Sequence, residues 1–289
     1  MKIFTAAQIH ELDNYTITHE PIKSIDLMER AAKTITRAIM DEWTDRTPMV
    51  IFAGPGNNGG DSLAVARLLA EENYKVSVYL FNIHNKLSDD CAANKQRLID
   101  SKRVGHFTEV TLNFDPPELT EDMVVIDGLF GSGLNKPLIG GFASLVKYIN
   151  QCPAKVVSID IPSGLMCEDN TYNIHSNIIR ADLTLTLQQK KLSMMMADCQ
   201  KYIGRLRVLD IRLSKEYIDK TEANCRILEE QDVRRLLMPR DDFAHKGAMG
   251  NALIIAGSYG MAGAAVLATR ACLRSGVGKV TVHTPRRNY

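Results

Sequence analysis

The sequence predicts an α/β protein with a mostly parallel sheet covered by helices on both faces. Three observations predict it. From residue 49 onward, short β-branched runs alternate with helix-length segments, the order that builds parallel strands joined by crossover helices. Before residue 49 the apolar residues follow a helical period instead. The first strand-like run also feeds straight into a glycine-rich turn, "GPGNNGGD" at 54–61, and open parallel sheets gather their ligands beyond such strand ends.

Residues 5–45 read as helix. Within "SIDLMERAAKTITRAIMDEW", Ile25, Met28, Ala32, Ile35 and Ile39 recur at steps of three and four, one apolar stripe. The strands follow as "MVIFAG", "KVSVYLFN", "DMVVIDG", "AKVVSIDI" and "DLTLTLQ", with helices expected at 61–72, 87–102 and 141–151. "GRLRVLDI" near 204–211 closes the sheet. The polar stretch that follows reads as a linker over 214–225, so a first domain spans 1–213 and a second begins at 226. There "ILEEQDVRRLLMPR" is a short helix, and "NALIIAG", "AGAAVLATRACLRSG" and "KVTVHTP" form one strand-helix-strand unit. So small a unit leaves apolar faces and strand edges open, and 226–289 is expected to be the opening of a larger domain.

Composition narrows the function. The 289 residues suit one large or two modest domains, and 45% apolar residues can bury a core. A net charge of +1 without a basic run argues against nucleic acid or an anionic membrane. No run approaches the roughly 18 apolar residues of a membrane span, and "MKIFTAAQIHELDN" lacks the apolar segment of a signal peptide. Six scattered cysteines without a C-x-x-C pair point to reduced thiols in the cytoplasm, not to zinc or a disulfide frame.

Four strand ends carry unusual residues. In 54–61, Gly59 and Gly60 are expected to let the backbone approach a ligand, while helix-start amides receive phosphate. The Lys-Ser/Thr of a Walker A loop is missing, and the next strand ends in Asn82 rather than the acid that holds a ribose in dehydrogenases. A plainer reading has Asp61 or Ser62 cap the helix and Asn57 and Asn58 form a turn. In "VVIDGLFGSGLNKP", Asp127 ends an apolar strand, where a carboxylate is costly unless paired, solvated or bound to a cation. In "VVSIDIPSG", Asp160 repeats that placement and Ser163 follows; an Asx turn is the alternative. In "TLTLQQKK", Lys190 faces phosphate or, the favoured reading, solvent. Asn58, Asp127 and Ser163 offer hard oxygen ligands, suited to an alkali or alkaline-earth ion rather than zinc. Asp160 stays free to move protons. The histidines show no metal spacing and are assigned surface or core roles.

The motifs "LMERA" (27–31), "GPGNNGGD", "DGLFGSGL" (127–134), "IDIPSGL" (159–165) and "TLTLQQKK", in this order over 1–213, together resemble the YjeF N-terminal family of NAD(P)H-hydrate epimerases. "HKGAMGNALIIAGSYGMAGAAVLATRACLRSGVGKVTVHTP" (245–285) resembles the start of the ribokinase-like ADP/ATP-dependent NAD(P)H-hydrate dehydratase. Fused in this order, the two resemble bacterial bifunctional nicotinamide nucleotide repair enzymes. The resemblance implies a Rossmann-like three-layer sandwich followed by an incomplete ribokinase-like segment. It implies epimerisation of the C6 hydroxyl of hydrated dinucleotides, (6R)-NADHX or NADPHX to the 6S form. For that reaction Asp160 is expected to be the catalytic residue, protonating the departing hydroxide and then activating water for the opposite face. Substrate contacts are implied for Asn57, Asn58, Gly59, Gly60, Asp61, Gly131, Ser132, Gly133, Leu134, Asn135, Lys136, Pro137 and Asp160. Gly263 and Ala264 would line a partial second site. The resemblance further implies K+ on Asn58, Asp127 and Ser163, and a homodimer. The dehydratase's late GTGD-type motif with its catalytic aspartate does not occur, so dehydratase activity is not expected. Ser62 stands where the family has glycine, and "LDIRL" where it has "DIG". Rival readings are a non-catalytic interaction module of the same family, a sugar kinase, which the missing motif disfavours, and a dehydrogenase, which Asn82 disfavours.

Overall fold

The computed structural model describes residues 1–237 and 239–286, and the chain divides into two units, Met1–Ile227 and Leu228–Tyr289. The first contains, in order, β1 (Lys2–Ile3), α1 (Ala6–His19), α2 (Ser24–Met40), β2 (Met49–Ala53), α3 (Asn57–Glu71), β3 (Val76–Phe81), α4 (Asp89–Ser101) and β4 (His106–Val110). It continues with β5 (Val124–Gly128), α5 (Gly140–Gln151), β6 (Lys155–Ile159), β7 (Leu183–Leu187), α6 (Gln200–Ile203), β8 (Arg205–Leu209), α7 (Lys215–Lys220) and β9 (Cys225–Arg226).

Strands β2 to β8 form one sheet in the order β4-β3-β2-β5-β6-β7-β8, with every neighbouring pair parallel. The chain runs outward from β2 to β4, then returns to the other side of β2 for β5. Loops beyond these two strand ends part in opposite directions and leave a crevice. Side chains alternate across each strand. Met49, Ile51 and Ala53 therefore pack with α2, α3 and α4, while Val50 and Phe52 pack with α5 and Phe114. On α2 the expected stripe is buried at Met28, Ala32, Ile35 and Ile39 and half-buried at Ile25. Each large side chain so buried contributes about 1.5–3 kcal/mol.

Two features differ from expectation. Strand β4 has no counterpart among the expected strands, because "HFTEV" lies at the sheet edge with only Val110 buried and its apolar signal is weak. The stretch 214–225 is not a linker. Helix α7 packs on α1, where Tyr217 meets Phe4 and Tyr15, and β9 pairs antiparallel with β1. The first unit thus runs to Ile227 rather than to residue 213. This outer layer buries one thin face only, so its composition stays polar.

In the second unit, α8 (Glu230–Leu236) precedes β10 (Asn251–Ile255), α9 (Gly263–Arg274) and β11 (Lys279–His283). Strands β10 and β11 are parallel, and Leu253, Ile255 and Val282 are exposed. Gly263 and Ala264 open α9 and are exposed. No described helix is long and apolar enough to cross a membrane, and all six cysteines are free.

Candidate active site

A cleft of about 660 Å³ opens at the switch point of the sheet. Its walls are the first turns of α3, the loop after β5, the ends of β6 and β7, one face of α1 and the start of α2. Of the residues expected to meet a substrate, Asn57, Asn58, Asp61, Gly131, Ser132, Gly133, Leu134, Asn135 and Asp160 line it. Gly59, Gly60, Lys136 and Pro137 lie outside that lining.

Helix α3 starts inside the glycine motif, with Gly56 as its N-cap and no side-chain capping bond. Its first amides have no carbonyl one turn earlier to bond, which makes this wall receptive to an anion. Neither Asp61 nor Ser62 caps the helix. Ser62 is buried and its Oγ donates to Gly59 O at 2.8 Å, so this serine is satisfied internally. Gly59 and Gly60 are buried, and each leaves room for a neighbouring part of the protein where a side chain would stand. A Cβ on Gly59 would stand 1.7 Å from Gly54 O, and one on Gly60 2.8 Å from Met28 Sδ. These two glycines let the loop pack on itself and on α2.

Asp160 follows β6 with φ at 65°, a left-handed backbone that Asp adopts more readily than most residues. The turn directs its carboxylate to the end of β7. There Oδ1 accepts from Leu187 N at 3.1 Å and pairs with the Lys191 ammonium. Lys191 is 1% exposed and also donates to Thr186 Oγ1 at 2.8 Å and Leu187 O at 3.2 Å. All three of its protons are therefore engaged. The lysine of "TLTLQQKK" that enters the site is Lys191, not Lys190. Strand alternation could not reveal this, because the chain kinks in between: Gln188 has φ at 57° and Gln189 N bonds back to Leu187 O.

One strand away, Asp127 is fully buried. Its Oδ2 accepts from Ser158 Oγ and Ser163 N, both at 2.8 Å. Its Oδ1 accepts from Ser163 Oγ at 2.5 Å and Leu129 N at 3.3 Å. Burial pushes this carboxyl up, and the donors, Ser163 foremost, pull it back; no cationic side chain takes part. Ser163 Oγ also accepts from Phe130 N at 2.9 Å. The Asn58 side chain packs against Gly131, where a Cβ would come within 3.1 Å of it, and its buried Nδ2 has no partner.

Sequence reasoning missed Asp13. It lies on α1 between Ile9 and Ile17, one helical turn from each, and all three line the cleft. An acid in the middle of an apolar ladder was the available signal. Asp13 is half-buried, and its carboxyl is pushed up to about 7 by burial first and the Asp160 charge second, with Lys191 opposing. Asp61 is held well above the usual carboxylate range by burial, then by Asp160, Asp13 and Asp90. His10 stands exposed at the rim. Among the described residues no group of three or more His, Cys, Asp or Glu forms a metal cluster.

Fold and cleft together define a doubly wound α/β protein with an acid-lined cleft at its switch point. The chain belongs to the YjeF-related protein N-terminus family, whose model matches residues 24–193. A second model, NAD(P)H-hydrate dehydratase, matches residues 252–289. The NAD(P)H-hydrate epimerase of Limosilactobacillus fermentum is 32% identical over 206 residues, covering 71% of this chain and 95% of that protein. The bifunctional NAD(P)H-hydrate repair enzyme of Coxiella burnetii is 32% identical over 282 residues, covering 98% of this chain and 56% of that protein. The chain spans about half the length of the bifunctional relatives it matches. The crystal structure of a yeast protein shares the fold, with a TM-score of 0.61 and 20% identity over 76% of this chain and 93% of that one.

Proposed function

We propose that the first unit is an NAD(P)H-hydrate epimerase, which inverts the C6 hydroxyl of (6R)-NADHX or NADPHX to the 6S form. The observation that carries this reading is Asp160, a carboxylate fixed by buried Lys191 and lining a cleft that also meets the start of a helix. The names of the relatives support the substrate class.

The C6 hydroxyl sits beside the ring nitrogen, so its departure as water leaves an iminium cation. Return of water to the opposite face then gives the other epimer. Asp160 is placed to take the proton of the incoming water, and its charge favours the cation. Lys191 holds that carboxylate in one orientation. The first turn of α3 and loop residues 131–135 bind the dinucleotide, with the helix start receiving its phosphates.

The same reading places K+ on the oxygens of Asn58, Asp127 and Ser163. Asp127 fits a hard cation because it is fully buried, and its partners are neutral hydrogen-bond donors. When bound, the ion supplies a counter-charge and orders the surrounding loops. A homodimer in the cytoplasm completes the reading.

The test mixes the purified chain and (6R)-NADHX with an intact S-specific dehydratase, with and without potassium. Consumption of the R epimer well above the spontaneous rate is expected. The spontaneous rate alone overturns the reading, and a ligand-induced melting shift without turnover would identify a binding module.

A further inference from the structure

Inversion at C6 needs a proton to carry the hydroxyl away, and Asp160 cannot supply it while it serves as the carboxylate partner of Lys191. Lys191 cannot supply it either, because its protons are committed to Asp160, Thr186 and Leu187. We propose that Asp13, on the α1 wall of the same cleft, is the group that delivers this proton. The proposal rests on the epimerase reading.

The acids around α1 divide by use. Glu11 Oε2 accepts from Tyr217 Oη at 2.7 Å, and Glu168 Oε1 accepts from Ala6 N at 2.6 Å; both pin the helix in place. Asp13 has no such task. It points into the cleft lining beside Ile9 and Ile17, where a carboxyl without donors is a cost to the fold. Asp160 and Lys191 from the sheet act on it, it acts in turn on Asp61 of α3, which Asp90 of α4 also reaches, and His10 of its own helix lines the same cleft. Burial and the Asp160 carboxylate push Asp13 up to about 7, so it can hold and release a proton in the neutral range, while Asp160 is fixed as the partner of Lys191. Two acids set apart in this way can act as a donor and an acceptor.

The step balances. Asp13 gives its proton to the C6 oxygen as the C6–O bond breaks, the nitrogen lone pair forms the C=N bond, and water leaves. Water adds to C6 from the other face, its proton passes to Asp160, and the π pair returns to nitrogen. Exchange with solvent moves the proton back from Asp160 to Asp13.

The test follows the full chain acting on (6R)-NADHX across roughly pH 5.5–9, with epimers separated by chromatography. Wild-type kcat should fall as pH rises through the neutral range. Asp13→Asn should lower kcat by about 10²–10⁴-fold, leave KM and the ligand-induced melting shift near wild type, and abolish the high-pH limb. Asp13→Glu should recover part of the rate together with the limb. An active wild type whose kcat and high-pH limb survive in Asp13→Asn overturns the proposal. So does loss of the limb in Asp61→Asn with its retention in Asp13→Asn. A wild type that runs only at the spontaneous rate instead overturns the epimerase reading, and this proposal with it.

Discussion

Asp127 and Asp160 belong to neighbouring parallel strand ends, yet their surroundings treat them in opposite ways. Asp127 is surrounded by two serine hydroxyls and two backbone amides, all neutral. Asp160 is matched by one ammonium but shares its cleft with two more acids, Asp13 and Asp61. Neutral donors satisfy and immobilise a carboxylate. Crowded acids around a single cation leave protons that must be shared, and shared protons can be moved. On the proposed epimerase reading, the first arrangement serves as scaffold and the second as reagent.

The comparison can be broken at several points. Asp160→Asn should lower turnover by about 10²–10⁴-fold while retaining the ligand-induced melting shift; near-normal turnover would remove Asp160 from the chemistry. Asp127→Ala strands four buried donors and should cost about 3 kcal/mol, lowering the melting temperature by about 6–12 °C. A change of only a degree would mean that the scaffold role is wrong. Gly59→Ala should cost about 2 kcal/mol by overpacking, whereas Gly133→Ala, which meets open space, should be near neutral. Equal urea midpoints for those two variants would contradict the packing account of the glycine motif.

Asp13 supplies a pH-dependent contrast. Its folded-state pKa is raised to about 7 from an ordinary 3.8, so between those values the folded chain holds a proton that the unfolded chain has lost. Its contribution to stability therefore falls as pH rises through that window. Asp13→Asn should match wild type near pH 4 and exceed it by about 1 kcal/mol at pH 8, once solvent screening is allowed for. Melting curves at the two pH values check the sign, and a wild type more stable than the variant at pH 8 would refute it. The smallest effect is expected at Arg212, whose φ of 57° occupies the left-handed region that favours glycine. Arg212→Gly should stabilise by about 0.5–1 kcal/mol, read from the urea midpoint.

By itself the sequence determined the parallel α/β architecture, the strand ends that carry polar residues, and the family. Those features are written in local periodicity and in contiguous motifs, which survive without knowledge of distant neighbours. Tertiary structure decided the rest. Whether Lys190 or Lys191 enters the site depends on a kinked turn after β7. That Gly59 leaves room for Gly54 O depends on how the loop closes on itself. Stretch 214–225 looks like a linker until β9 finds β1 at the opposite end of the unit. Asp13 is an ordinary helical acid until α1 lies against the cleft and brings it under the field of Asp160. Charge, burial and proton affinity are properties of neighbours far apart in the chain, and only the folded molecule assembles them.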